Sequence, residues 1–584
     1  MKRRVPIFVY TSLIAVLFAA CSKEKTPWVP DSDGEEEEEV TTLPGEYLLP
    51  LIETTDLHGY LVSESSGTVH YRMAYIADKV NDIRGRGGDY DKDRLLLLDG
   101  GDIYQGASVS NLLEGKPVYV AMDRMGYDAV AVGNHEFDWD FETLVDPDAT
   151  MLDYEWEGQN CVNAVPVLCA NLYRNGERVS ITGDYVIVEK KAVDSEGNSI
   201  PVRIGVIGFA INYASSIMTS KFTGMGYSIR EDYSIANGIA AELEATGQCD
   251  ATILLIHGAA DAAAGKLGAG SPIDLVLGGH SHQTMTGTAG SVAYLQGGRY
   301  GEHYASASLK FSTESGAVSF AGVVQSKIVP VDSNRDRHTT AGQNAEDLDE
   351  DILAVSDYAL EATAEQNKEV LGYITVSADT YTIAGSAGRS CTMANWMCDI
   401  IRRIGGADVA FVNGGGVRTV FPLNGNDRRY ITAANVYEMF PFSNTTYVYE
   451  ITYKELMVLL EYAMTDAGVS LFTGMVGVNC YFKGYAVTML SRENGDVIYQ
   501  NGTWADDWAS RKVRLAVSEY LATNQRIDSY TKLQNPLLEW NETSRLLSSD
   551  LVDNENAVRV LREEGAASGG PLFIDTTTHF LYVN

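Results

Sequence analysis

The chain has 584 residues, 45% of them hydrophobic and 21% charged, which excludes a fibrous or wholly disordered protein and leaves room for several domains. Its formal charge of -35 excludes a bulk polyanion such as a nucleic-acid polymer as partner. A small anionic substrate held by cations stays open.

Lys2, Arg3 and Arg4 open the chain, and an apolar run at 5–20, too short to span a membrane, ends directly at Cys21. A basic start followed by a short apolar segment is the anatomy of an export signal. Leu17-Phe18-Ala19-Ala20-Cys21 resembles a bacterial lipoprotein signal. That implies removal of 1–20, lipidation of Cys21 and a place on the outer membrane, facing the periplasm or the cell surface. The alternative is an ordinary signal peptide beside an accidental cysteine. Residues 21–48 carry the run Glu35 to Glu39 among Pro, Gly and Ser, cannot form a core, and read as an acidic tether. Fully extended, it would reach up to roughly 90 Å. Beyond Cys21 the cysteines are Cys161, Cys169, Cys249, Cys391, Cys398 and Cys480, with no assigned pairing and no tight pair of the kind that holds zinc.

Tyr47 to Thr55 is an apolar run ending at Asp56, and reads as a buried strand. The pattern recurs. Leu95 to Leu98 ends at Asp99-Gly100-Gly101-Asp102, and Tyr127 to Val132 ends at Gly133-Asn134-His135-Glu136. Ile204 to Phe209 follows, then Ala251 to Ile256 ending at His257, then Leu275 to Leu277 ending at Gly278-Gly279-His280. Stretches 72–85 and 112–126 have helix-like composition. Residues 49–325 therefore read as one layered α/β domain with its chemistry at the carboxyl ends of the strands. Residues 326–370 read as a linker and a connecting helix from about Asp349. Residues 371–540 read as a second α/β unit, with a helix near 390–404, a strand at Val409 to Val412, and Asn413-Gly414-Gly415-Gly416. The tail 541–584 ends in a strand-like FLYVN and has no assigned place.

Ligand-type residues gather at the strand ends: Asp56, His58, Asp102, Asn134, His135, His257, His280 and His282. Five of the nine histidines are among them. Two divalent ions need an anionic bridge, which a carboxylate supplies, while neutral imidazole and amide oxygen fill other positions without excess charge. His70, His303, His338 and His579 have no such context, and Asn171 reads as a structural turn residue. The ordered set of D-L-H-G, G-G-D, G-N-H-E-F-D, a strand-terminal histidine and G-G-H-S-H resembles the 5'-nucleotidase branch of the calcineurin-like two-metal phosphoesterases. The glycine-rich stretch from Gln296 to Gly301 adds to the likeness.

The resemblance implies a four-layer α/β/β/α metallophosphoesterase domain followed by an α/β substrate-binding domain. Asp56, His58, Asp102 and His282 match the ligands of one metal. Asp102, Asn134, His257 and His280 match those of the other, with Asp102 bridging. Asn134 also stands among the substrate-binding positions, and His135 matches the catalytic histidine, oriented by Asp138. The mixed donors suit zinc, manganese or iron. In the second domain Arg389, Asn413, Gly415 and Arg418 match substrate-binding positions, and Phe442 and Tyr520 match the two walls of an aromatic clamp for a base.

The activity implied is hydrolysis of a nucleoside 5'-monophosphate to nucleoside and phosphate by a hydroxide shared between the metals, as in nucleotide catabolism. Alternatives on the same site are 2',3'-cyclic nucleotide phosphodiesterase and 3'-nucleotidase action, or nucleotide-sugar hydrolysis. Outside enzymology the alternative is a surface binding lipoprotein. No obligate protein partner is implied. The chain also departs from the pattern. Ser390 and Thr392 replace glutamate and asparagine, and the glycine-glycine-aspartate turn expected after Tyr520 is absent. Arg526 and Asp528 lie in that stretch instead.

Overall fold

A computed structural model describes residues 44–65, 68–139, 141–145, 155–156, 159–160, 165–213, 222–331, 348–377, 392–412, 416, 418–421, 423, 425, 427–442, 444–463, 474–484, 486–523, 552–563, 570–572 and 580–582. The export signal, Cys21, the acidic tether, Arg389, Asn413 and Gly415 lie outside these residues. Among the described residues no helix is long and apolar enough to cross a membrane.

The first domain is built on strands β1 (Glu46–Thr54), β2 (Leu96–Asp99), β3 (Ala129–Ala131), β4 (Val167–Leu168), β5 (Tyr185–Val193), β6 (Ser199–Ala210), β7 (Ala251–His257), β8 (Leu275–Leu277), β9 (Thr284–Ala289), β10 (Val292–Gly297), β11 (His303–Ser312) and β12 (Ser319–Pro330). They form one hydrogen-bonded 12-stranded array. It divides into two halves, because β1 and β5 meet only at Leu48 and Val193. In the first half β1, β2, β3 and β4 run parallel, and β11 and β12 extend β1 antiparallel. In the second, β6, β7, β8 and β10 run parallel, with β5 and β9 antiparallel at the two ends.

Side-chain alternation turns the halves into layers. Leu96 and Leu98 point with Ile253 and Leu255 into a core between the two sheets. Leu95 and Leu97 face the opposite way, toward helices α1 (Arg72–Arg84) and α2 (Lys116–Met125). Leu254 and Ile256 face helices α3 (Ser234–Ala245) and α4 (Ala260–Leu267). The order is helix, sheet, sheet, helix. The central strands Leu96–Asp99, Ala129–Ala131, Ala251–His257 and Leu275–Leu277 are buried on both faces, which is why they read as continuous apolar runs rather than alternating ones. Helix α5 (Glu350–Ala362) starts where Asp349 accepts a hydrogen bond from the Ile352 N–H at 2.9 Å, and packs back on α1 and α2.

The second domain repeats the principle on a smaller scale. Strand β13 (Val370–Ile374) pairs with β15 (Arg429–Thr432). The central sheet joins β14 (Val409–Val412), β16 (Thr446–Thr452), β17 (Gly474–Val476) and β21 (Lys512–Ser518), and a second sheet includes β18 (Val478–Lys483), β19 (Ala486–Arg492) and β20 (Val497–Gln500). Ala410 and Val412 pack under helix α6 (Thr392–Gly405), whose Trp396, Ile400 and Ile404 are buried. Val409 and Phe411 face helix α8 (Tyr453–Ala463) through Leu456, Leu459 and Leu460. Helix α7 (Ala433–Met439) begins with a capping box between Thr432 and Asn435.

The tail, unplaced from sequence, belongs to this unit. Helix α9 (Asp553–Leu561) buries Ala557, Val558 and Leu561 in the core beneath α6, and strand β22 (Phe580–Tyr582) adds parallel to β18. Among the described residues Cys169, Cys249 and Cys480 are free thiols. Asn171 acts as a structural staple: its amide donates to the carbonyls of Ala210 at 2.7 Å and Arg230 at 2.9 Å, and its oxygen accepts the Ala210 N–H at 3.0 Å.

Candidate active site

The parallel strands stop at one edge of the sandwich, and the loops that leave them converge there. Five of the residues brought to this edge have left-handed backbone: Asp56 (φ 50), His58 (φ 47), Asp102 (φ 57), His280 (φ 68) and His282 (φ 58). Non-glycine residues seldom adopt this conformation, and such strain concentrates at functional sites.

Buried hydrogen bonds hold the strain in place. Asp56 N–H donates to the Gly101 carbonyl and His58 N–H to the Asp102 carbonyl, each at 2.9 Å. The Asp99 carboxylate accepts the Gly101 N–H at 2.8 Å and the Thr54 hydroxyl at 2.6 Å. The Glu136 carboxylate gathers three N–H groups, from Asp102 (3.1 Å), Ile103 (2.8 Å) and Gly133 (2.6 Å). The fit at Gly133 excludes any side chain, since a Cβ there would lie 2.2 Å from Asp102 Oδ1. Burial, with the Asp102 charge adding to it, pushes the Glu136 carboxyl up to about 7.

The side chains form three overlapping groups of possible metal donors: Asp56, His58 and His282; His58, Asp102 and His135; and Asp102, His257 and His280. His58 Nδ1–H donates to the Gln105 carbonyl at 2.9 Å and His257 Nδ1–H to the Gly100 carbonyl at 2.8 Å, so both present Nε2 to the cluster. His58 Nε2 stands 3.0 Å from His282 Nε2, which is 3.4 Å from Asp56 Oδ1. His257 Nε2 stands 3.2 Å from Asp102 Oδ2 and 3.2 Å from Asn134 Oδ1, and His280 Nδ1 is 2.8 Å from that Asn134 oxygen. Asp102 Oδ2 also lies 3.8 Å from His58 Nε2, which ties the two ends together.

These separations fit bound cations. Donor atoms about 2.1 Å from one ion stand roughly 3.0 to 3.4 Å apart at octahedral or tetrahedral angles. The electrostatics fit as well. Burial holds His58 well below the usual histidine range, His280 at about 4 and His282 at about 3, so their lone pairs are free. Burial opposes charge on His257 too, but Asp102 outweighs it and raises that imidazole to about 10.

His135 lies beside this cluster with a different set of partners. Its Nδ1–H donates to Asp138 at 2.5 Å, its backbone N–H donates to Asp102 Oδ1 at 2.8 Å, and its Nε2 is 3.9 Å from Asp102 Oδ2. Burial disfavours its charge, yet the carboxylates of Asp102 and Asp138 raise it above the ordinary value.

The cluster opens into a cleft of about 250 Å³ whose other wall is the second domain. Gly416, Arg418, Phe442 and Tyr520 all line it. Phe442 lies over His135, with ring centroids 5.3 Å apart and planes 24° from parallel. The Arg418 guanidinium is 5.5 Å from the centroid of Phe442, and its charge helps depress His58, His280 and His282. Of the residues expected at the site, all those in the described parts meet at this one cleft or in the cluster beneath it.

The sequence reading did not anticipate the supporting carboxylates Asp99 and Glu136, although both stand inside the motifs it used. It also gave no role to Asn444, Ser518 or Asp553, which line the second-domain wall.

Known proteins resemble the chain in both halves. Residues 370–498 match the family model of the 5'-nucleotidase C-terminal domain. A 5'-nucleotidase of Vibrio vulnificus is 28% identical over 306 residues, 49% of this chain and 47% of that protein. The chain spans under half the length of the Vibrio relatives it matches. A 5'-nucleotidase of Bos taurus is 24% identical over 561 residues, covering 88% of this chain and 85% of that one. The crystal structure of a 5'-nucleotidase precursor from Thermus thermophilus superposes with a TM-score of 0.63 at 20% identity, over 92% of this chain and 100% of that chain. At that identity the likeness shows the shared fold.

Proposed function

Because the chain is a relative of the 5'-nucleotidases and carries their C-terminal domain, we propose that it is a metal-dependent phosphoesterase that hydrolyses nucleoside 5'-monophosphates. The observation that carries this reading is the meeting, in one cleft, of the Asp102-centred donor cluster with Arg418 and the aromatic residues of the second domain. Asp56, His58, Asp102 and His282 would hold one divalent ion, and Asp102, Asn134, His257 and His280 a second. Zinc, manganese or iron suits those donors. Bound there, such ions would supply Lewis acidity toward phosphoryl oxygens and a more acidic water.

The chain's own residues do the rest. The Arg418 guanidinium binds the remaining phosphate oxygens bidentately. Asp138 fixes the His135 tautomer, so that Nε2 is the atom left to act in the cleft. An imidazolium there stabilises charge developing on the phosphoryl group and delivers a proton to the departing sugar oxygen. Phe442 covers one face of His135 and keeps water from it. With Tyr520 it offers aromatic surface to a base, worth about 1 to 3 kcal/mol per stack.

The N-terminal segment supports a further part of the reading: an exported lipoprotein held to a membrane through acylated Cys21. Mass spectrometry of the membrane-extracted protein reads this directly, and an unmodified Cys21 would contradict it.

Phosphate release across a substrate panel tests the activity. With metal supplied, nucleoside 5'-monophosphates should give the highest kcat/KM among 5'-mononucleotides, 2',3'-cyclic nucleotides, dinucleotides and nucleotide sugars. A peak on cyclic nucleotides or nucleotide sugars would shift the assignment to those esters. Hydrolysis of none of them by the metal-loaded protein would overturn it.

A further inference from the structure

The histidines of the donor cluster are not all held in the same way. His58 and His257 are fixed from behind, because each Nδ1–H donates to a backbone carbonyl, of Gln105 at 2.9 Å and of Gly100 at 2.8 Å. A ligand imidazole ordinarily has such a partner to set its ring plane. Among the described residues none accepts from His282 Nδ1, and its Nε2 meets His58 and Asp56. What lies against the His282 ring instead is Tyr300. The phenol stands at steep angles to His282 and His58, 66° and 68°, with ring centroids 5.7 and 5.5 Å away.

Backbone strain accompanies that placement. Tyr300 is left-handed (φ 57), which is unusual for a bulky residue, and lies between Gly298 (φ 92) and Gly301 (φ 61). Its N–H donates to the Asp56 carbonyl at 2.7 Å, and its own carbonyl accepts from the Arg72 guanidinium at 2.7 Å. The ring also packs on Tyr60, with centroids 4.5 Å apart, and Arg72 lies 5.3 Å from the Tyr60 centroid. The loop after β1 and the start of α1 thus clamp one aromatic ring beside two imidazoles of the cluster.

We propose that Tyr300 is a positioning residue for the first metal site, its ring holding the His282 imidazole in the ligating orientation that a hydrogen bond sets for His58 and His257. The inference rests on the proposed metal-dependent activity and concerns a residue that binds neither ion nor substrate. A clamped ring removes rotamers in which His282 turns Nε2 away, so less ordering is left for the ion to impose. His58 is already fixed by Gln105 and depends on the ring less. The contacts are ring to ring, so phenylalanine should serve as well as tyrosine.

The test titrates the full-length, metal-free protein with cobalt(II), a coloured divalent ion that takes the same nitrogen and oxygen donors. Wild type is compared with Tyr300→Phe, Tyr300→Ala, His282→Ala and the double variant Tyr300→Ala/His282→Ala. Calorimetry and the visible spectrum give stoichiometry and affinity, and melting temperature without metal is read in parallel. We expect Tyr300→Ala to weaken one cobalt site by about 10 to 100-fold and to leave the other within about threefold. Tyr300→Phe should stay within about threefold of wild type at both. His282→Ala should weaken the same site, and adding Tyr300→Ala should then cost less than about threefold more, because the ring has no imidazole left to orient. If alanine lowers the melting temperature sharply, Tyr300→Leu, which fills the volume without a planar face, replaces it with the same expectation. Undiminished affinity without the ring, equal weakening of both sites, full additivity with His282→Ala, or a Tyr300→Phe protein as impaired as the ring-less one would each overturn the inference. Cobalt binding is read without substrate, so a wild type that binds two ions and cleaves no nucleotide would overturn the proposed function alone.

Discussion

Asp102→Asn is expected to cost several orders of magnitude in turnover and to empty the metal cluster at both ends. Asp102 Oδ2 is 3.2 Å from His257 Nε2 and 3.8 Å from His58 Nε2, which makes it the one carboxylate common to both halves of the donor set. Burial works against its charge, but the surrounding imidazoles hold it ionised, well below the usual carboxylate range. An amide has nearly the same shape and cannot neutralise two cations, so the loss isolates charge from packing. The Glu136 carboxylate still anchors the backbone of residue 102 and of Ile103. The variant should therefore fold. Metal content and kcat measured on the same preparation check the expectation, and near-wild-type turnover with full metal content would remove Asp102 from the bridging role.

His135→Ala should separate chemistry from metal binding. The imidazole is committed to Asp138 through Nδ1, and its Nε2 is 3.9 Å from Asp102, farther than the cluster histidine His257. We expect kcat to fall by about 10² to 10⁴-fold while metal content stays close to wild type. Proximity alone does not assign the role, because His135 also falls in a donor group with His58 and Asp102. A large metal loss in this variant would make His135 a ligand. Removing the ring also uncovers Phe442, so melting temperature belongs beside the kinetics.

The layered first domain was legible because its central strands are buried on both faces, and their continuous apolar runs stop abruptly at Asp, Asn and His. Strands such as Tyr185–Val193 and Ser319–Pro330 were not legible, since their mixed burial breaks the run and dilutes the signal. The cluster at Asp56, His58, Asp102, Asn134, His257, His280 and His282 could be read because each member sits on a short motif at a strand end. Glu136 stood in the same motif and was missed: its work is to accept three backbone N–H groups, which spacing does not reveal. Asp553 was invisible for another reason. Helix α9 follows a long stretch without clear periodicity, and only tertiary packing beneath α6 carries its carboxylate into the cleft. Phe442 was expected as a wall for a base, and its additional stacking on His135 depends on how the two domains face each other.

The central claim is that the Asp102-centred cluster binds divalent metal and that this metal-loaded cluster cleaves nucleotide phosphate. The direct measurement is metal content per chain alongside phosphate release from adenosine 5'-monophosphate, before chelation, after it, and after metal is returned. About two ions per chain should be bound, activity should vanish as they are removed, and it should return with zinc, manganese or iron. Undiminished phosphate release from metal-stripped protein would contradict the account, as would a fully metal-loaded protein that releases none.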